Sequence, residues 1–377
     1  MRKMSSIKEK MLHNLYNIPG WRTKRHIVVI ESDDWGSIRM PSKEVYYKLL
    51  DSGIRVDKCH YCSNDSIASE EDLALLFEVL NKHKDIYGHP AVITANAIVA
   101  NPDFEKIKES DFNEYHYKKI TEGLPEIKGC ERVLGLWKEG NENGCFRIQS
   151  HGREHLNVMR WMHYLRENYP ETRLAFDLGV YGLSTTITSE KRKSFLPAFD
   201  FENKIEEVQA NAIAKAGLSI FEEIFGYKSS SFIAPNYTWG RSLEKTIADC
   251  GVKYIQGQQR AKYRNAEGED NKTRQRYLGR KNALGQFDLC RNAVFEPSEM
   301  PQKNWVKACL KDISIAFRWH HPAIICSHRV NFVGTINVDN RDRNLKLFDQ
   351  LLTQIQNRWL DVEFISSDQL GDLITQK

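Results

Sequence analysis

Two adjacent carboxylates, two histidines four residues apart and one late histidine are the residues of this chain best suited to chemistry. Asp33-Asp34 end Ile27-Val28-Val29-Ile30-Glu31-Ser32, whose apolar β-branched start reads as a buried strand. Trp35-Gly36 mark the turn out of it. Carboxylates this close repel one another and are costly to bury unpaired; a cation or a substrate proton relieves that cost. By itself the pair also suits an Asx turn or a helix cap. His151 and His155 follow a second apolar run, 145–149. Their i,i+4 spacing stacks both rings on one side of a helix, or of a loop entering one. By themselves, with Arg153 and Glu154 between them, they also suit a helix start with two solvated rings. Two imidazoles and the carboxylate of Asp34 together make a catalytic set for a divalent transition metal, with positions left for water and substrate. One aspartate then ligates the ion, and its neighbour takes a proton from water that the ion has acidified. His328, at the end of the run 323–326, is placed to protonate a leaving group; a buried histidine bonded to backbone is the other reading.

Such residues meet only if the strands that carry them are parallel and curled, so that their C-terminal ends share a face. Strand-like runs recur at 27–30, 91–99, 145–149, 174–183, 230–234, 252–256, 287–295, 323–326 and 362–366. Helical patterns lie between them, at 69–80, 103–140, 157–168, 203–225, 242–250, 303–318 and 344–359. This alternation predicts βαβ units around a parallel sheet. The lack of a composition break favours one α/β domain, a distorted seven- or eight-stranded (β/α) barrel over 25–377. Residues 1–24 form an N-terminal extension with a helix predicted over 5–16, and a polar, basic, turn-rich surface insertion falls near 260–282.

Composition narrows the function classes. Hydrophobic residues make up 41% of the 377 and charged residues 28%, enough for a sizeable core. Lys+Arg of 54 against Asp+Glu of 50 gives +4, too balanced to suggest nucleic acid as the main partner. No apolar segment is long enough to span a bilayer, and 1–21 lacks a continuous apolar core, so the expected location is cytoplasmic. Eight scattered cysteines in a chain this large suggest reduced thiols. Cys59-His60-Tyr61-Cys62 is a lone C-x-x-C with no second pair, and reads as loop packing. Cys326 lies within an apolar run and reads as inert.

Four motifs in order carry a family resemblance. Asp33-Asp34, His151-x-x-x-His155, Phe232-Ile233-Ala234-Pro235-Asn236 and Ile324-Ile325-Cys326-Ser327-His328 resemble those of the polysaccharide deacetylases (NodB homology, carbohydrate esterase family 4) over roughly 25–372. The resemblance implies metal-assisted removal of an N- or O-linked acetyl group from a sugar. It implies Asp33 as base, Asp34, His151 and His155 as metal ligands, and His328 as acid. It implies a divalent ion, zinc foremost, with nickel, cobalt or manganese as alternatives. An acetylated sugar, polysaccharide or polysaccharide precursor is the implied substrate; the oligomeric state stays open. Trp35, Asn96, Asn236, Tyr237 and Trp239, at predicted strand ends, are the candidate sugar contacts, with rim packing as the other reading of the aromatics. The backbone amide of Tyr237 is a candidate oxyanion donor.

Three positions depart from the family pattern. Trp35 intervenes before Gly36, Gly152 replaces a hydroxyl residue, and Ile233 stands where an arginine orients the base. Arg291 is the candidate to replace that arginine from a neighbouring strand. Two alternatives therefore accompany the deacetylase: a carbohydrate-binding barrel without turnover, and a metal-dependent amide or ester hydrolase acting on a non-sugar.

Overall fold

The computed structural model describes residues 14–264 and 272–376. The helix predicted over 5–16 lies mostly outside them. Fourteen strands order the described residues: β1 Ile27–Trp35, β2 Ile93–Ala97, β3 Ala100–Pro102, β4 Tyr117–Lys119, β5 Phe146–Ser150, β6 Ser231–Phe232, β7 Thr238–Gly240, β8 Tyr254–Gly257, β9 Arg260–Arg264, β10 Lys272–Gln275, β11 Phe287–Cys290, β12 Ala293–Val294, β13 Ala323–His328 and β14 Glu363–Phe364.

Eight of them form one sheet in the order β11-β8-β6-β5-β2-β1-β13-β12, with β14 paired to the start of β1. Every pairing in it is parallel. The two edges, β11 and β12, are separated in the chain only by Arg291 and Asn292. Three residue steps from Cys290 to Ala293 span at most about 10 Å, so the sheet must curl until its edges approach. This is the distorted barrel the sequence predicts, and its join is the run that carries Arg291.

The faces of β1 explain the layering. Val28 and Ile30 point outward and pack with Leu73, Leu76, Trp137, Phe221, Leu310, Ile313 and Leu351 from the surrounding helices. Ile27 and Val29 point inward, where Ile324, Leu289, Tyr254 and Leu370 fill the lower interior. Continuing by twos, Glu31 and Asp33 face the upper interior. That layer is polar: Asn96 Nδ2 donates to Gln256 Oε1 at 2.8 Å, and Gln256 Nε2 to Ser231 Oγ at 2.8 Å. The barrel is thus sealed by hydrocarbon below and wired by hydrogen bonds beneath its upper mouth.

Two sequence expectations need correction. The stretch 103–140 is not one helix. It holds β4, which pairs antiparallel with the preceding β3, and the separate helices Phe104–Glu109, Ile120–Gly123 and Val133–Glu142, with left-handed breaks at Asp111 and Phe112. The run 174–183 is not a strand. Pro170 occupies the first turn of the helix Pro170–Asp177, where its fixed φ and missing N–H favour initiation over termination. Around 260–282, β9 and β10 pair antiparallel and join β7. That region is anchored by Arg276, which is 1% exposed and bonded to Asp288. No helix among the described residues is long and apolar enough to cross a membrane.

Candidate metal centre and active site

The adjacent aspartates share one cleft because β1 bulges between them. Ser32 pairs with Ala95 but Trp35 with Ala97, so β1 has one extra residue. Asp34 absorbs it with a left-handed φ of 73°, a strained backbone for a non-glycine residue. Without the bulge, Asp33 and Asp34 would point to opposite faces.

His151 and His155 sit on a loop leaving β5, before Asn157 caps the helix Val158–Arg166. Gly152, at φ 107°, makes the turn between the histidines that a hydroxyl residue would strain. Arg153 and Glu154 are buried and paired, not solvated: Arg153 Nη2 donates to Glu154 Oε1 at 2.6 Å, and the guanidinium stacks on Tyr117. Val99 and Ala100 N–H groups donate to the Arg153 carbonyl at 3.0 and 2.8 Å. The loop rests on the helix Lys204–Phe225 at Gly217, where a Cβ would come within 2.6 Å of Arg153 N.

This scaffold aims both rings at one atom. His151 Nε2 and His155 Nε2 each lie 3.4 Å from Asp34 Oδ1. His151 donates its Nδ1 hydrogen to the Ile233 carbonyl at 2.9 Å, which orients the ring with Nε2 toward the carboxylate. Burial holds His155 down at about 3, so that ring is neutral and has a free lone pair. Burial opposes ionisation of Asp34, but the imidazoles and Arg39 outweigh it and hold the carboxyl well below the usual range. Arg39 Nη2 lies 3.6 Å from Asp34 Oδ2 and stacks on Tyr61. Two imidazoles and one carboxylate, buried and converging, fit a divalent cation.

Asp33 is gripped from the join of the barrel. Arg291 Nη2 donates to Asp33 Oδ1 at 2.6 Å and Nη1 to Oδ2 at 2.8 Å, while Nε donates to Glu31 Oε2 at 2.6 Å. Asn96 Nδ2 adds a bond to Asp33 Oδ1 at 2.8 Å. Burial would raise the Asp33 carboxyl, but Arg291 brings it down to about 2. Across the β1–β13 register, Asp33 pairs with His328, whose Nε2 lies 3.7 Å from Asp33 Oδ2. His328 Nδ1 lies 2.5 Å from Glu296 Oε1. Burial would lower this imidazole, but Glu296 raises it well above its usual value.

Asp33, Asp34, His151, His155 and His328 line one cavity of about 620 Å³. Ser184, Thr185, Thr186 and Ser194 add hydroxyl groups to its wall, and Asn236 and Tyr237 border it. Other candidates fall elsewhere. Trp35, 1% exposed, packs edge-on against Phe146 and Trp137 and is core. Trp239, 2% exposed, packs on Tyr263. Asn96 is fully buried beneath the cavity and positions Asp33 instead of meeting a ligand. These three follow the inward or outward phase of their strands, which a strand-end position alone does not reveal. The Tyr237 amide is engaged, donating to the Ala234 carbonyl at 2.9 Å, so it is not a free oxyanion donor. The Tyr237 hydroxyl accepts from Arg291 Nη1 at 2.9 Å.

Sequence reasoning missed Glu296, Glu31 and Arg39, and read Cys59 as loop packing. Glu296 follows a predicted strand and precedes Pro297, a position typical of site residues; Arg39 lies in a loop with no motif. Cys59 faces the cavity and caps the helix His60–Asn64, and the Cys62 thiol beside it brings Cys59 down to about 6.

No protein-family model matches the chain, and no curated protein matches it. Solved structures of similar arrangement include two proteins assigned as polysaccharide deacetylases. That from Mycobacterium smegmatis is 10% identical, covering 95% of this chain and 93% of its own, at TM-score 0.46. That from Pseudomonas aeruginosa PAO1 is 10% identical, covering 94% and 92%, at TM-score 0.47. The Puue allantoinase is 10% identical, covering 92% and 91%, at TM-score 0.44.

Proposed function

We propose that this chain is a metal-dependent hydrolase that removes an acetyl group, N- or O-linked, from a carbohydrate. The carrying observation is one cavity in which Asp33 stands between Arg291 and His328 beside the converging Asp34, His151 and His155. Asp34, His151 and His155 would hold a divalent ion, which would supply Lewis acidity toward water and the acyl carbonyl. Asp33 accepts the proton of the attacking water. As a carboxylate held at about 2 it is a weak base, suited only to water that is already acidified. Arg291 fixes its orientation and its ionised form, the role left open by Ile233. His328, kept protonated by Glu296, delivers a proton to the departing nitrogen or oxygen. The hydroxyl-lined wall suits the polyol face of a sugar, and Asn236 and Tyr237 border that space.

The test combines metal analysis of the purified protein with acetate release from a panel of acetylated mono- and oligosaccharides. The expected result is bound divalent metal and acetate release that falls about 10²–10⁴-fold in His328→Gln, with the Asp34-site metal retained. Metal and sugar binding without acetate release would leave the non-catalytic barrel. Acetate release only from non-sugar amides or esters would select the other hydrolase.

A further inference from the structure

A second set of ligand atoms faces the same cavity and shares no residue with the Asp34 set. Cys326 and His328 are two apart on β13, so the strand period puts both side chains on one face. The neighbouring run brings Glu296 alongside, because the Phe295 N–H donates to the Cys326 carbonyl at 2.9 Å. One ligand atom from each of Glu296, Cys326 and His328 lies within 4.8 Å of the other two. Glu296 Oε1 is 2.5 Å from His328 Nδ1 and 3.9 Å from Cys326 Sγ. Donors around a tetrahedral zinc or cobalt stand ~3.3–3.8 Å apart, so small side-chain shifts suffice.

The surroundings are those of a built site. Asn331 Nδ2 donates to Glu296 Oε2 at 2.8 Å, fixing the carboxylate from behind. Arg291 Nη1 lies 3.2 Å from Cys326 Sγ and offsets part of the burial that pushes this thiol up, while its own charge is met by Glu31 and Asp33. All three ligands border the cavity, which leaves a fourth position open to solvent.

We propose that Glu296, Cys326 and His328 form a second divalent-cation site, preferring a thiolate-seeking ion such as zinc or cobalt. An ion there occupies His328, so loading this site silences the acid of the proposed hydrolysis. That consequence rests on the deacetylase reading; the site itself does not.

The test titrates the metal-stripped full-length chain with cobalt(II) and follows the near-ultraviolet thiolate-to-cobalt charge-transfer band. The wild type binds two equivalents, one of which brings the band. Asp34→Asn binds one equivalent fewer and keeps the band. Cys326→Ser loses the band and keeps the other equivalent, which also reports that it folds. The double variant Cys59→Ser/Cys62→Ser keeps the band. A wild type without the band, a band surviving in Cys326→Ser, or a band lost with Cys59 and Cys62 overturns the proposal. Should Cys326→Ser not fold, His328→Gln must weaken the band-forming equivalent about tenfold or more, and unchanged affinity overturns it.

Discussion

Arg291→Ala tests the central electrostatic claim. The guanidinium is 7% exposed and donates to Glu31 and to both oxygens of Asp33. The fall of Asp33 from its ordinary 3.8 to about 2 corresponds to roughly 2.5 kcal/mol favouring the ionised form. Removing the arginine forfeits this and strands two buried carboxylates side by side. Breaking a buried pair from one end costs about 3–5 kcal/mol, and that is the expected loss of unfolding free energy at pH 7. The sign with pH discriminates. In the wild type the depressed Asp33 contributes stability that is present above about pH 4 and lost as pH falls toward 2. In the variant burial, the largest influence on this carboxyl, is opposed only by the weaker pull of His328, His151 and Asn96 and raises it, so its folded form is favoured at low pH and weakened as pH rises. The gap between the two proteins should therefore shrink by about 1 kcal/mol or more between pH 7 and pH 4, measured by urea unfolding. Adding Glu31→Gln should restore part of the loss. Arg291→Lys should fall between, since a point charge cannot bridge both carboxylates. A gap below about 1 kcal/mol at pH 7, or one that does not change with pH, refutes the reasoning.

Three further outcomes follow from the same geometry. Asp34→Asn should lose the ion of the Asp34 set while folding normally, because asparagine tolerates the left-handed φ of 73°; metal analysis and thermal melting check both halves. Glu296→Gln removes the carboxylate that holds His328 protonated, so the alkaline fall of activity should move to lower pH in a pH–rate profile. Gly217→Ala, remote from the cavity, should weaken metal binding, because its Cβ would meet Arg153 N at 2.6 Å and push the histidine loop; equilibrium dialysis measures the change.

Reading the strands from the sequence worked where burial enforces a pattern. The run that opens β1 is apolar because both faces of a central parallel strand are covered. The helices Lys204–Phe225 and Trp305–Arg318 announce themselves by apolar spacing, and the first by its closing Gly226. Prediction failed at 103–140 and 174–183, where short elements are set by turns and a proline that acts as a starter. Neither outcome could be weighed from local propensity alone.

The sequence by itself determined the candidate ligand types, their order and the strand ends that carry them, since these depend on residue identity and on periods of two and 3.6. Only the tertiary structure decided which groups meet. The β1 bulge that turns Asp34 beside Asp33, the join that delivers Arg291 in place of Ile233, and the capture of His328 by Glu296 depend on contacts between segments remote in the chain. Likewise Trp35 and Trp239 became core residues through the phase of their strands. The physical reason is that spacing fixes which residues share a face, whereas the curl of the sheet fixes which faces look at one another.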